Sequence, residues 1–133
     1  MSDSPESVVR KFFAAWEHPT ADGLASFFSA DAVHVSPLGA HRGVDAIKTQ
    51  YQKQLARGFA GFRIDVKTIV ADGPTVMAER VDGFSLAGKT FDIDAVGVFE
   101  IDGDRRIKRF RDYYDLKSIT DEIQAAGFEV GPR

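Results

Sequence analysis

The stretch FRIDVKTIV at residues 62–70 decides the fold class, because apolar and polar side chains alternate along it. Such alternation places every second residue on the same face of a β-strand. In the first half of the chain, apolar residues instead recur three or four positions apart, which is the spacing of amphipathic helices. The pattern therefore predicts helices first and strands after about residue 60.

The first half of the chain is predicted to contain three helices. The first has Ser4 as its N-cap and Pro5 in its first turn, where a proline costs no hydrogen bond. The third carries Tyr51 within its apolar stripe. Between the second and third helices we expect a short strand at residues 32–36 and a loop at residues 39–43. The three helices are predicted at residues 5–17, 21–28 and 44–55.

The second half of the chain is predicted to be an antiparallel meander. Turn signals such as Asp72-Gly73 and Asp102-Gly103-Asp104 separate its strands, and connections this short exclude parallel crossovers. Ile107 and Phe110 are three positions apart, which breaks the alternation of the last strand and predicts a bulge there. A short closing helix is expected at residues 118–126. The four strands are predicted at residues 62–70, 75–84, 90–101 and 106–114.

This order of elements indicates an α+β fold rather than an alternating α/β fold. A strongly bent, mostly antiparallel sheet has a concave face, and the N-terminal helices can pack over it. The result is a cone that encloses a pocket. The length of the chain suits one hydrophobic core, so we expect a single domain over residues 1–133.

The composition excludes several classes of function. A net charge of −3 gives no basic surface for nucleic acid or an anionic membrane, and no apolar run is long enough to span a bilayer. The chain has no cysteine, which excludes disulfides and thiolate catalysis and is compatible with the cytoplasm, where we expect the protein. Residues 1–7 are polar and acidic, unlike a signal peptide. The three histidines are scattered without metal-site spacing, so we expect no metal.

Two predicted strands carry acids on faces that a sheet would bury. Asp112 lies between two aromatic residues on one face of the last strand, and Asp82 shares a face with Arg80. A buried acid is costly unless it is paired or functional. The strands that carry these acids flank the strand at 90–101, so their axes are roughly 9–10 Å apart. Arg80 is therefore expected to reach Asp112 across the small Ala95.

Two carboxylates close together in an apolar site do not both ionise easily, so the pKa of one is raised. If Arg80 holds the other as an anion, the two separate into an acid and a base near neutral pH. Such a pair suits chemistry in which the base takes a proton from water while the acid donates one to an oxygen. The alternation alone favours a simpler interpretation, in which these charges only tie strands together or face solvent.

Three segments resemble the limonene-1,2-epoxide hydrolase family: ERVD at 79–82, VGVF at 96–99 and RDYYDL at 111–116. The order of helices and strands resembles the wider NTF2-like or SnoaL-like group of α+β cones. The similarity is good from about residue 76 to residue 119. The cone fold by itself does not identify an activity, whereas the paired acidic motifs are fairly specific.

The resemblance implies a cofactor-independent epoxide hydrolase, which opens a small lipophilic epoxide to a vicinal diol by one-step attack of water. On the matching motifs, Asp112 is the general base, Asp82 the general acid and Arg80 the bridge between them. The family's water-holding Tyr and Asn match His34 and Ser36 here, and both can hydrogen-bond water. Substrate contacts are expected from Phe13, Trp16, Phe84, Ile93, Ala95, Tyr114 and Ile119.

Two other functions stay open. A ketosteroid-isomerase-like enzyme or a cyclase of the same cone group needs one carboxylate base and an acidic oxyanion hole, which an arginine between two acids fits poorly. A non-catalytic small-molecule-binding domain needs no paired acids. Any of these is expected to form a homodimer, because Val96 and Val98 make the outer face of the sheet apolar as well.

Overall fold

The computed structural model describes residues 3–129 and confirms the α+β class. It consists of four helices and one sheet of six strands. The helices are α1 (Pro5–Ala14), α2 (Ala21–Ala25), α3 (Val44–Ala56) and α4 (Leu116–Ala125). The strands are β1 (Phe28–Ser36), β2 (Gly39–Arg42), β3 (Phe59–Asp72), β4 (Thr75–Leu86), β5 (Lys89–Ile101) and β6 (Ile107–Tyr114).

The sheet is curved and open, and its strand order is β2-β1-β6-β5-β4-β3. Strands β3 to β6 form the predicted antiparallel meander. Strand β1 pairs with β6 in parallel, which is the single exception to antiparallel pairing among residues 3–129. This pairing brings the N-terminal strand beside the strand that carries Asp112, a neighbour relation that alternation in the sequence did not predict.

The ends of the helices follow the predicted caps in most cases. Ser4 Oγ accepts the N–H of Ser7 at 3.1 Å at the start of α1. Helix α1 then passes into a 3-10 turn at Ala15–Glu17. The second helix ends at Ala25, earlier than predicted, because the next residues enter the sheet: Phe27 C=O accepts the N–H of Ile107 at 2.8 Å.

The prediction of a loop at residues 39–43 was wrong. Gly39–Arg42 form β2, which pairs with β1 through a tight turn at Pro37 and Leu38. The sequence of β2 is short and shows no apolar alternation. The strand is extended because it pairs with β1. In this hairpin His34 lies directly opposite His41.

The predicted bulge in the last strand is confirmed. Glu100 pairs with Arg109, but the next residue, Ile101, pairs with Ile107, so Lys108 is the extra residue on β6. A bulge re-aims the side chains that follow it. Beyond it, Phe110, Asp112 and Tyr114 face the concave side as predicted, while Tyr113 is exposed on the outer side.

The core lies between the N-terminal helices and the concave face of the sheet. Phe12 of α1 is 1% exposed and contacts rings from both layers, including Phe28, Phe99 and Phe110. Burying a ring of this size contributes about 1.5–3 kcal/mol. A smaller cluster gathers around Ile119 of α4, and a cavity separates the two clusters. Within residues 3–129 no helix is long and apolar enough to cross a membrane.

Candidate active site

Arg80 of β4 joins two carboxylates on the concave face. Its Nε and Nη2 donate to Asp82 Oδ1 and Oδ2 at 3.0 and 3.1 Å, and Nη2 also donates to Asp112 Oδ2 at 2.8 Å. The Arg80 side chain is only 4% exposed. Burial by itself lowers the pKa of Arg80, but the charges and hydrogen bonds of Asp112 and Asp82 outweigh it and raise that pKa. The guanidinium therefore stays charged inside the protein.

Gly97 of β5 lies under the guanidinium. It is directly opposite Asp112 in the ladder between β5 and β6. A Cβ at this position would be 3.1 Å from Arg80 Nη1 and 2.9 Å from the rings of Phe99 and Phe110. A residue without a side chain is thus needed under the arginine. Arg80 itself lies directly opposite Ala95, so its side chain runs diagonally from Ala95 towards Gly97 and Asp112.

The two carboxylates differ in their surroundings. The side chain of Asp82 is 28% exposed, whereas that of Asp112 is 10% exposed. Burial raises the pKa of Asp82; the charge of Arg80 opposes this shift and the charge of Asp112 adds to it. Asp112 uses Oδ2 to bind Arg80, and its Oδ1 is buried without a hydrogen-bond partner in residues 3–129. Asp82 is therefore suited to hold a proton, and Asp112 has an oxygen available to a ligand.

His34 of β1 lies next to this cluster in the parallel pair with β6. Its ring stacks on Phe110, with centroids 4.5 Å apart and an interplanar angle of 6°. Burial, together with the charges of His41 and Arg80, lowers the pKa of His34 to about 3. The imidazole is therefore neutral at ordinary pH, with one nitrogen that donates and one that accepts. Neither nitrogen has a partner in the part of the chain that the structure describes.

Ser36 also borders the cavity, two residues beyond His34 on the same strand. Its Oγ accepts the N–H of Leu38 at 3.1 Å, within the turn between β1 and β2. The structure thus brings both residues of the expected water-holding pair to the cavity. The hydroxyl of Ser36, however, also closes a turn.

The cavity has a volume of about 760 Å³, which is the size of a small-molecule site. Asp82 and Asp112 open into it. Ala95 does not line it, contrary to prediction, because its cross-strand neighbours Arg80 and Tyr114 have longer side chains that extend past it. The other six expected substrate contacts do line it: Phe13, Trp16, Phe84, Ile93, Tyr114 and Ile119.

Several polar residues of the cavity were not predicted as site residues, and two of them, Tyr51 and His41, lie beside His34. Tyr51 of α3 is 3% exposed, and its hydroxyl lines the cavity wall beside His34. His41 lies on the unpredicted strand β2. The sequence does contain a signal that could have identified Tyr51, because this residue is the one hydroxyl in the otherwise aliphatic stripe of the third predicted helix. For His41 it contains none.

Comparison with known proteins gives the family. The SnoaL-like domain model matches residues 9–110, which is most of the chain. The chain belongs to this SnoaL-like family. It is also 30% identical over 108 residues to epoxide hydrolase EphG of Mycobacterium tuberculosis (strain ATCC 25618 / H37Rv), an alignment covering 81% of this chain and 71% of EphG.

Solved structures agree with this assignment. An M. tuberculosis LEH-like epoxide hydrolase has a TM-score of 0.74 and 27% identity, covering 89% of this chain and 87% of the other. A protein from Catenulispora acidiphila DSM 44928 with a ketosteroid isomerase-like fold, in complex with trimethylamine, has a TM-score of 0.77. Its identity is 24%, over 90% of this chain and 92% of the other, so it shows the fold alone. The resemblance in the sequence to epoxide hydrolases of this cone group is confirmed.

The buried His34 should make folding stability depend on pH. Its pKa is about 3 in the folded state against an ordinary value of 6.5, so between these values the unfolded chain binds a proton that the folded chain does not. The stability that neutral His34 contributes is full above pH 6.5 and is lost as the pH falls towards 3. The free energy of unfolding, measured with urea from about pH 7 to pH 4, should fall more steeply with decreasing pH in the parent than in His34→Gln. The difference in slope should be up to about 1.4 kcal/mol per pH unit.

His18, at the end of the 3-10 turn, is the matched control because its side chain is exposed. His18→Gln should keep the slope of the parent. Equal slopes for the parent and His34→Gln would show that His34 is as accessible to protons in the folded state as in the unfolded chain.

Proposed function

We propose that the protein is a cofactor-independent epoxide hydrolase, which opens a lipophilic epoxide to a vicinal diol. The observation that carries this proposal is the buried Arg80, which binds Asp82 and Asp112 at once in the wall of a largely apolar cavity. The similarity to EphG supports the same reaction class. An epoxide is small, apolar and strained. A site that hydrolyses it therefore needs an apolar wall to bind the molecule, and one acid and one base to open the ring.

In the proposed reaction Asp112 is the general base and Asp82 the general acid. Asp112 takes a proton from water as the water oxygen forms a bond to one ring carbon. The bond between that carbon and the epoxide oxygen breaks, and the oxygen takes the proton of Asp82. After the diol leaves, Asp112 releases its proton and Asp82 regains one through solvent. Arg80 stabilises whichever carboxylate is ionised at each stage.

Three features of the site support these roles. Burial raises the pKa of Asp82, which favours the protonated form that an acid needs. Oδ1 of Asp112 is unpartnered among the described residues and is therefore free to receive a proton. His34 is neutral and can hydrogen-bond water, so we propose it as a water-positioning residue, with Ser36 at the edge of the same site.

An isomerase or a cyclase of the same fold is the alternative enzyme, and a binding domain is the alternative without catalysis. An isomerase of the ketosteroid type requires an acidic oxyanion hole beside one base. Arg80 binds both acids here, and an arginine between the base and the acid fits that arrangement poorly. A binding domain needs no buried pair of acids at all.

Substitutions in the cluster should abolish turnover without unfolding the protein. Asp112→Asn and Asp82→Asn keep the shape but remove the base and the acid, so each should lower kcat by about two to four orders of magnitude. Arg80→Lys should also fail, because a point charge cannot bridge two carboxylates as a planar fork does. The assay offers terpene, cycloalkene, styrene and long-chain epoxides without metal or cofactor and follows diol formation, with circular dichroism to verify folding.

Matched controls lie on the outer face of the same sheet. Asp94 is an exposed acid of β5, and Arg111 precedes Asp112 and pairs with Glu100 at 2.7 Å. Asp94→Asn and Arg111→Lys should retain parental turnover. If the three cluster variants stay folded and hydrolyse epoxides like the parent, the roles are wrongly assigned. A parent that hydrolyses none of the panel would favour the isomerase or binding alternatives.

Water labelled with heavy oxygen separates one-step hydrolysis from an ester intermediate in the same assay. With Asp112 as a base, the label enters the diol in the first turnover. A carboxylate nucleophile would instead give a first diol carrying unlabelled oxygen from the enzyme.

We further propose a homodimer that forms through the outer face of the sheet. Val96, Met77 and Tyr113 are exposed there, whereas Val98 is mostly covered. Sedimentation at micromolar concentration should give twice the 14.6 kDa of one chain, and Val96→Asp should give the single chain. A parent that sediments as one chain contradicts this proposal.

A cytoplasmic location also stays a proposal, based on the lack of cysteine, and cell fractionation would test it.

A further inference from the structure

Several buried polar atoms of the cavity wall have no partners in residues 3–129. They are Asp112 Oδ1, Arg80 Nη1, Tyr51 Oη, His41 Nδ1 and both ring nitrogens of His34. Leaving such a group unsatisfied costs about 1–3 kcal/mol, so folded proteins contain few of them. Six such atoms on five residues that line one cavity indicate a site built for a small polar ligand.

Aromatic neighbours hold the ring of Tyr51 in place. Its ring lies edge-on to Trp16, with centroids 5.4 Å apart, and 6.3 Å from the ring of Phe28. The centroid of the His34 ring is 6.2 Å away. Burial, together with the charge of Asp112, raises the pKa of Tyr51, so this hydroxyl keeps its proton and can donate it in a hydrogen bond.

We propose that Tyr51 and His34 together position the attacking water against Asp112 Oδ1. Tyr51 then has the place in the water site that the resemblance to the epoxide hydrolase family implied for Ser36. The catalytic part of this inference rests on the proposed epoxide hydrolysis, whereas the binding of a water by these groups does not.

Tyr51, Asp112 and His34 can supply three of the hydrogen bonds of one water molecule. Tyr51 Oη donates to one lone pair of the water oxygen. The two water protons are accepted by Asp112 Oδ1 and by the unprotonated nitrogen of neutral His34. The second lone pair is left to attack the ring carbon. As the new carbon–oxygen bond forms, Asp112 takes its proton, the epoxide carbon–oxygen bond breaks, and the epoxide oxygen takes the proton of Asp82.

Ser36 is less suited to this role. Its Oγ already accepts the N–H of Leu38 at 3.1 Å, which orients the hydroxyl towards the turn between β1 and β2. Ser36 is also only partly buried, so solvent competes for its remaining hydrogen bonds. Tyr51, in contrast, is 3% exposed and has no competing partner in the described residues.

Tyr51→Phe tests the proposal because it removes the hydroxyl and keeps the ring. We expect kcat to fall about 10- to 100-fold, the loss for one transition-state hydrogen bond, with KM nearly unchanged. Thermal stability should change little, because the ring and its packing against Trp16 and Phe28 are kept. In labelled water the share of heavy oxygen at each diol carbon should shift, which a merely structural tyrosine would not cause. Tyr113→Phe, at an exposed tyrosine of β6, should match the parent.

High-resolution crystal structures provide a readout that does not need epoxide turnover. The parent should contain an ordered water within hydrogen-bond distance of Tyr51 Oη, Asp112 Oδ1 and a ring nitrogen of His34, and Tyr51→Phe should lose or displace it. This result in a parent that hydrolyses no epoxide would support the water site and overturn only the proposed reaction. The proposal is overturned if the parent lacks this water, or if Ser36→Ala lowers kcat more than Tyr51→Phe does.

Discussion

The interaction on which the rest of this structure depends is the contact of one buried guanidinium with two carboxylates. Removing three ionisable groups from water is costly, and their mutual attraction offsets that cost only with good geometry. Losing one partner of such a cluster leaves an uncompensated buried charge, which costs about 3–5 kcal/mol. An apolar core would stabilise the sheet at least as well, so stability alone does not account for Arg80 in this position.

The backbone satisfies the geometric demands of this contact at several positions. Strand β5 separates the strands of Arg80 and Asp112, and it carries Gly97 directly beneath the guanidinium. The bulge at Lys108 precedes Asp112 on β6. The parallel pairing of β1 with β6 then places His34 against Phe110, in the wall of the cavity that Asp112 also lines. Each feature is local, but together they put Asp112, Asp82 and His34 around one cavity.

The sequence predicted the parts of this arrangement that depend on local periodicity. The alternation of apolar and polar residues, together with the turn residues, predicted the meander and its turns. It also predicted the bulge and the inward direction of Asp82 and Asp112. It could not give β2, whose extended form depends on pairing with β1. It also missed the role of Tyr51, because periodicity identifies the buried face of a helix but does not distinguish a packing ring from a hydroxyl that faces a cavity. The path of Arg80 over Gly97 was missed because side-chain lean across a sheet depends on its curvature.

The central claim is that this cluster raises the pKa of Asp82, so that its carboxyl can hold the proton that an acid must donate. A carboxyl-carbon NMR titration of protein labelled in its aspartates tests this directly, with Asp82→Asn used to assign the signal. The account predicts that the assigned signal titrates at a higher pH than an ordinary aspartate, whose pKa is about 3.9, because burial raises the pKa of Asp82. A titration at or below that ordinary value would contradict the account, since Arg80 would then hold Asp82 as an anion with no proton to donate.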